Sequence, residues 1–168
     1  MENKTKVQPG IPPTDIAKFF LARSFEDGEL ISPLKMQKLV YYAYVWMLVQ
    51  KKERLFTETI EAWPNGPVTP SLYQELKKYG SGPINADFLA CKDEKELDAF
   101  MKKFPEEIKS VLNDVYEKYM TKTAFELVVL THSEKPWMEA REKLSPTQRS
   151  SNGISDDTII EYYGQQTQ

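Results

Sequence analysis

The chain carries one histidine, His132, and one cysteine, Cys91. Imidazole takes and returns a proton near neutrality, so His132 is the natural general base, with Cys91, Ser133 or Thr131 as candidate nucleophiles. Catalysis needs more than these residue types, because a base must be oriented and a nucleophile presented. Thr131 and Ser133 flank His132 in sequence, but neither comes with a motif such as G-x-S-x-G. The favoured reading is that His132 ends a helix, where a ring nitrogen can meet a free carbonyl at the negative end of the helix dipole. One Cys with one His cannot supply the three or four ligands of a typical zinc site, and one Cys forms no intrachain disulfide. Gly80 and Gly82 lack the strand and following lysine of a phosphate-binding loop. No catalytic residue, cofactor or metal ligand is assigned, and the chain reads as a non-enzyme.

The other chemistry on offer is recognition. Three Trp, nine Tyr and eight Phe are an aromatic surplus, much of it in Tyr41-Tyr42-Ala43-Tyr44-Val45-Trp46. Most must be core, but a few left at the surface match the amphipathic anchors that dominate protein interfaces. The residues expected to face a partner are Trp63, Asn65, Gly66, Tyr73, His132 and Trp137. For Trp63 and Trp137 a structural role competes and is favoured: with Gly66 and Pro67, Trp63 could build a rigid turn seating a strand, and Trp137 could plug the core. Exposed ring edges would decide for recognition.

The element that must position these residues is an apolar run, Leu39 to Val49, flanked by Lys35, Lys38, Lys51 and Lys52. It is far shorter than the twenty or so residues of a membrane span, so it predicts a buried helix with neighbours on several sides. Ser32-Pro33 starts it, since an N-cap and a residue before proline both want extended backbone and proline suits the first helical position. It should run to about Lys52. Before it, Thr14 is expected to cap a helix over residues 15–23 with Ile16, Phe19, Phe20 and Arg23 on one face. Residues 56–63 alternate as a strand, for which residues 29–31, 84–89 or Ile154 could be partners. Trp63-Pro64-Asn65-Gly66-Pro67-Val68 is a stiff turn. Thr69-Pro70 opens a helix with Leu72, Tyr73, Leu76 and Tyr79 on one face, ended by Gly80. Shorter helices are expected over 94–103, 106–120, Thr123 to Leu130 with a capping box from Thr123 to Glu126, 137–143, and 156–163 capped by Ser155.

The fold class is therefore mainly α, a compact helical domain around a long buried central helix with a small β element. At 168 residues the chain has room for one domain, placed at 14–164 between polar tails at 1–13 and 165–168. Twenty-two Lys and Arg against twenty-five Asp and Glu leave a formal charge of −3, and the basic residues are scattered, so nucleic acid is an unfavoured partner. The start of the chain has no apolar stretch of a secretory signal, and the protein reads as cytoplasmic with no membrane partner.

Three segments resemble, in order, the signatures of the Panacea-domain (SocA-like) antitoxins: Leu34-Lys35-Met36-Gln37-Lys38-Leu39-Val40-Tyr41-Tyr42-Ala43, then Ala62-Trp63-Pro64-Asn65-Gly66-Pro67-Val68, then Leu130-Thr131-His132-Ser133-Glu134-Lys135-Pro136-Trp137. Ile154, Ile159, Ile160, Tyr162 and Tyr163 fit the closing segment. The resemblance implies a mostly helical domain of bacteria, archaea and phages, including prophages, that neutralises a toxin encoded beside it by direct protein–protein contact. One member similar in fold is a proteolytic adaptor that hands its toxin to a Clp-type AAA+ protease, which makes delivery the alternative mechanism. Some members add a DNA-binding region and repress their own operon. This chain has no spare length for one, which argues against autoregulation through such a region; a DNA-binding regulator is the competing class.

Overall fold

A computed structural model describes residues 10–167. Those residues form α1 (Pro13–Glu26), α2 (Pro33–Lys51), β1 (Glu61–Trp63), β2 (Gly66–Val68), α3 (Pro70–Leu76), α4 (Glu94–Lys102), α5 (Glu106–Tyr119), α6 (Ala124–His132), α7 (Lys135–Ala140) and α8 (Asp156–Gly164), with short 3-10 turns at Lys77–Tyr79, Ala86–Leu89 and Gln165–Thr167. The architecture is mainly α with one small hairpin, as the sequence predicts.

Helix α2 is the axis. Ser32 Oγ accepts the Lys35 N–H at 3.3 Å, Pro33 fills the first helical position, and every residue from Met36 to Val49 is buried. Helices α1, α5, α6 and α8 and the hairpin pack around it. A helix apolar nearly all round is stable only inside such a ring, since any open side would leave Tyr, Trp and Leu in water.

The ring is tied to the axis by aromatic hydroxyls. Tyr42 and Tyr163 donate to Glu134 Oε1 at 2.5 and 2.9 Å, Tyr163 and Tyr41 share a bond of 3.1 Å, and Trp46 Nε1 donates to Tyr119 at 2.8 Å. Tyr42 also stacks on Tyr119 with 4.0 Å between ring centres. Burial raises the Glu134 carboxyl above its usual range, while the two tyrosine donors pull it back.

Several local expectations are corrected. Helix α1 starts at Pro13 after Pro12, with no side-chain cap, so Thr14 lies inside the first turn; two successive prolines set the entry without a hydroxyl. Arg23, expected on the face of Ile16, Phe19 and Phe20, packs toward α5. Its guanidinium reaches across to Asn113 and Glu117 and lies 4.4 Å over the Tyr116 ring. The strand forecast over 56–63 shrinks to residues 61–63, because its ladder partner is the adjacent Gly66–Val68, part of the stretch whose composition predicts a turn. Of the partners considered, Ile154 does meet this segment, donating its N–H to the Ile60 carbonyl at 2.8 Å, whereas Ile84 bonds Ile31 instead. The helix forecast over 137–143 lies at 135–140, and α3 ends as a 3-10 turn before Gly80. The capping box of α6 and the Ser155 cap of α8 form as expected. The chain is seated from its first described residues, with Ile11 N–H on the Leu55 carbonyl at 3.0 Å. The tails forecast at 1–13 and 165–168 otherwise fall, at residues 1–9 and 168, outside the described residues. Among the described residues no helix is long and apolar enough to cross a membrane.

Candidate functional site

Pro64 and Asn65 form a two-residue connection between β1 and β2, in the register Glu61↔Val68, Ala62↔Pro67 and Trp63↔Gly66. Gly66 stands at φ +111°, and a Cβ there would lie 2.5 Å from Lys38 Cε and 2.9 Å from Thr131 Oγ1. Only glycine meets both conditions.

So short a hairpin has little stability of its own, and its backbone is held from outside. The Gln37 amide accepts the Thr69 N–H at 2.9 Å and donates to the Thr69 carbonyl at 3.3 Å. Lys38 Nζ donates to the Pro67 carbonyl at 3.2 Å. Arg141 donates to the Ala62 carbonyl at 2.8 Å and, with its other nitrogen, to the carbonyls of Ser145 and Gln148 at 3.0 and 2.8 Å. Trp137 Nε1 donates to the Trp63 carbonyl at 2.9 Å. On the far edge of β1, Ala62 N–H reaches the Asn152 carbonyl at 2.9 Å.

Lys38 is fully buried and faces a carbonyl, not a carboxylate. Burial brings its ammonium down from 10.5 to about 7. His132 stacks flat on Trp137, 3.9 Å between ring centres at 13°. Its burial, helped by the charges of Lys38 and Arg141, pushes the imidazole below its ordinary value against the pull of the Pro64 carbonyl. Among the described residues its buried Nε2 has no hydrogen-bond partner. Thr131 and Ser133 spend their hydroxyls on the carbonyls of Val128 and Leu130, at 2.9 and 2.7 Å, so neither is set against His132. Cys91 lies in a second groove, near Lys103 and Phe104.

In front of the hairpin is a groove of about 930 Å³. Leu34, Val68 and Leu76 supply apolar lining, Trp63 and Tyr73 meet edge to face at 4.9 Å, and Asn65, Lys77, Arg149 and Glu61 complete the walls. The Trp63 indole N–H donates to Glu61 at 2.6 Å. Tyr73 is 41% exposed.

The structure therefore divides the expected partner-facing residues. Trp63, Asn65 and Tyr73 line the groove. Gly66 is buried under the turn, and His132 and Trp137 stand behind it as a stacked pair whose indole holds the Trp63 carbonyl. Trp137 is thus a bracket for the hairpin, while Trp63 is both seated and partly exposed. Sequence reading missed Lys77 and Arg149, which carry no signal in a charged helix end and a polar loop. It also missed Lys38, Gln37 and Arg141 as fasteners. For Lys38 a signal existed: a charge on the interior side of an apolar helix needs a partner.

The family model described as antitoxin SocA-like, Panacea domain, matches residues 36–138. That span holds most of the first signature, both later signatures, the hairpin and its fasteners on α2, but not Arg141 or the closing segment. No curated protein and no solved structure matches the chain. With the motif order, the helical architecture and a family match over more than half of its length, the chain belongs to the SocA-like, Panacea-domain antitoxin family.

Proposed function

We propose that this protein neutralises a cognate toxin, encoded beside it, by direct protein contact at the groove in front of the hairpin. The domain at 14–164 acts as one binding unit in the cytoplasm and does no chemistry itself. One observation supports this reading: Trp63, on a hairpin whose backbone is bonded from α2, from α7 and from Arg141 just past α7, meets Tyr73 of α3 edge to face, both partly exposed beside an apolar lining. Preorganised aromatics of this kind lose little freedom on binding, which is what makes an anchor effective. The family description supports the antitoxin role.

The test is co-expression of the neighbouring reading frame with and without this protein, followed by size exclusion of the purified pair. Growth rescue with a co-eluting complex of nanomolar affinity, about −12 kcal/mol, is expected. Tyr73→Ala should weaken that complex by about tenfold or more. A complex indifferent to both Tyr73→Ala and Asn65→Arg would place the interface elsewhere. Rescue with loss of the neighbour's protein and no complex would instead fit delivery to an AAA+ protease.

A further inference from the structure

The charge around the groove is unlike that of the whole chain, which carries a formal −3. Lys77 and Arg149 line the groove, and among the described residues neither is in an ion pair. Behind the hairpin, Arg141 is buried and bonded to carbonyls alone, and Lys38 is buried on another carbonyl. An arginine is protonated at any working pH, and a charge set inside the protein is screened by salt far less than one at the surface. Glu61 is the one carboxylate of the lining, and the Trp63 indole N–H already occupies one of its oxygens. The groove is thus apolar and aromatic, with a positive field from in front and from behind.

We propose that this groove receives an acidic segment of the partner protein, a short stretch in which carboxylates flank an aliphatic or aromatic side chain. The apolar side chain enters between Leu34, Leu76 and the Trp63–Tyr73 pair, and the carboxylates meet Lys77 and Arg149. This rests on the toxin-docking reading and specifies the chemistry of the docked piece. A nucleic acid would offer negative charge and bases for stacking, but only Lys77 and Arg149 face the groove, and Arg141 sits behind backbone where no phosphate reaches it. The chain's overall charge also repels a polyanion.

The probe is the peptide acetyl-Ser-Glu-Asp-Leu-Phe-Glu-Asp-Ser-amide, titrated into the full chain and followed by tryptophan fluorescence and amide chemical shifts. Its counterpart with lysine at each acidic position, and an oligothymidylate, are run beside it. Saturation by the acidic peptide below about 1 mM is expected, with shifts at Trp63 and Tyr73 and none from the lysine peptide. The double variant Lys77→Glu, Arg149→Glu, its fold checked by circular dichroism, should weaken binding by about tenfold or more. Raising salt from about 50 to about 500 mM should weaken the native protein's binding several-fold. Equal binding of the two peptides, or no saturation, overturns the inference, and so does an oligothymidylate that displaces the acidic peptide from the same residues. Growth rescue separates the two readings. Rescue kept by the double variant while peptide binding is lost leaves an acidic-segment site that is not the toxin's. Rescue lost in Tyr73→Ala, with no peptide binding at all, leaves the docking surface and overturns its acidic occupant.

Discussion

Lys38 shows how much one residue can record. Its ammonium titrates near 7 in the fold and near 10.5 in an unfolded chain. Between those values the unfolded chain holds more protons, so stability rises with pH across that window, by up to about 1.4 kcal/mol per unit. Below about 7 both states carry the proton and the cost of burying it is felt in full. Above 10 the trend reverses, because burial raises the phenols of Tyr41, Tyr42, Tyr119 and Tyr163 and the fold then keeps protons the unfolded chain has lost. Urea unfolding at pH 7 and 9.5 should therefore show the native protein gaining stability, whereas Lys38→Met gains less, keeping only the smaller rise from Lys35, whose ammonium burial also lowers; parallel curves would mean the Lys38 amine is not buried. Gly66→Ala is the companion experiment at the same contact. With φ at +111° and a methyl driven onto Lys38 and Thr131, a loss of about 2 kcal/mol or more is expected in thermal unfolding. Lys38 stood in plain view within the first signature, but its acceptor is a carbonyl and no spacing rule reveals a carbonyl. Gly66 was legible as a turn glycine, and the lysine it touches was not.

At the scale of elements, the helices were the readable part. Ser32-Pro33, Thr123 with Glu126, and Ser155 place hydroxyls and carboxylates within three residues of the N–H groups they satisfy, so sequence alone locates those ends. The hairpin was misread because its strands are three residues each and β2 contains proline, which argues against a strand wherever pairing continues. What makes β2 a strand lies outside it: Gln37, Lys38 and the paired β1. Trp137→Phe tests this external support, since phenylalanine keeps the stack on His132 and removes the indole bond to the Trp63 carbonyl. We expect a loss of about 1 kcal/mol together with faster hydrogen exchange of the 61–68 amides. Faster exchange everywhere, or nowhere, would show that the bond does not hold the hairpin in particular.

Over the whole molecule, stability should fall off with distance from α2. That helix is enclosed on every side from Met36 to Val49, whereas α4 has no buried residue at all. Native-state hydrogen exchange is expected to reach α4 first, at low cost, and the amides of Tyr41 to Val45 last, only on global unfolding. An early-exchanging α2 would contradict the arrangement. The central helix was legible as a whole because eleven successive apolar residues admit few other placements, and the groove was not, because it is assembled from α2, the hairpin, α3 and the loop before Gly153. Its position has a practical consequence. Every bond that fastens the hairpin ends on a main-chain atom, at residue 62, 63, 67 or 69, and none ends on the side chains of Asn65, Tyr73, Lys77 or Arg149. A gene library randomised at those four codons should therefore yield mostly folded protein, which makes the domain a display scaffold whose specificity can be exchanged while its architecture stays fixed.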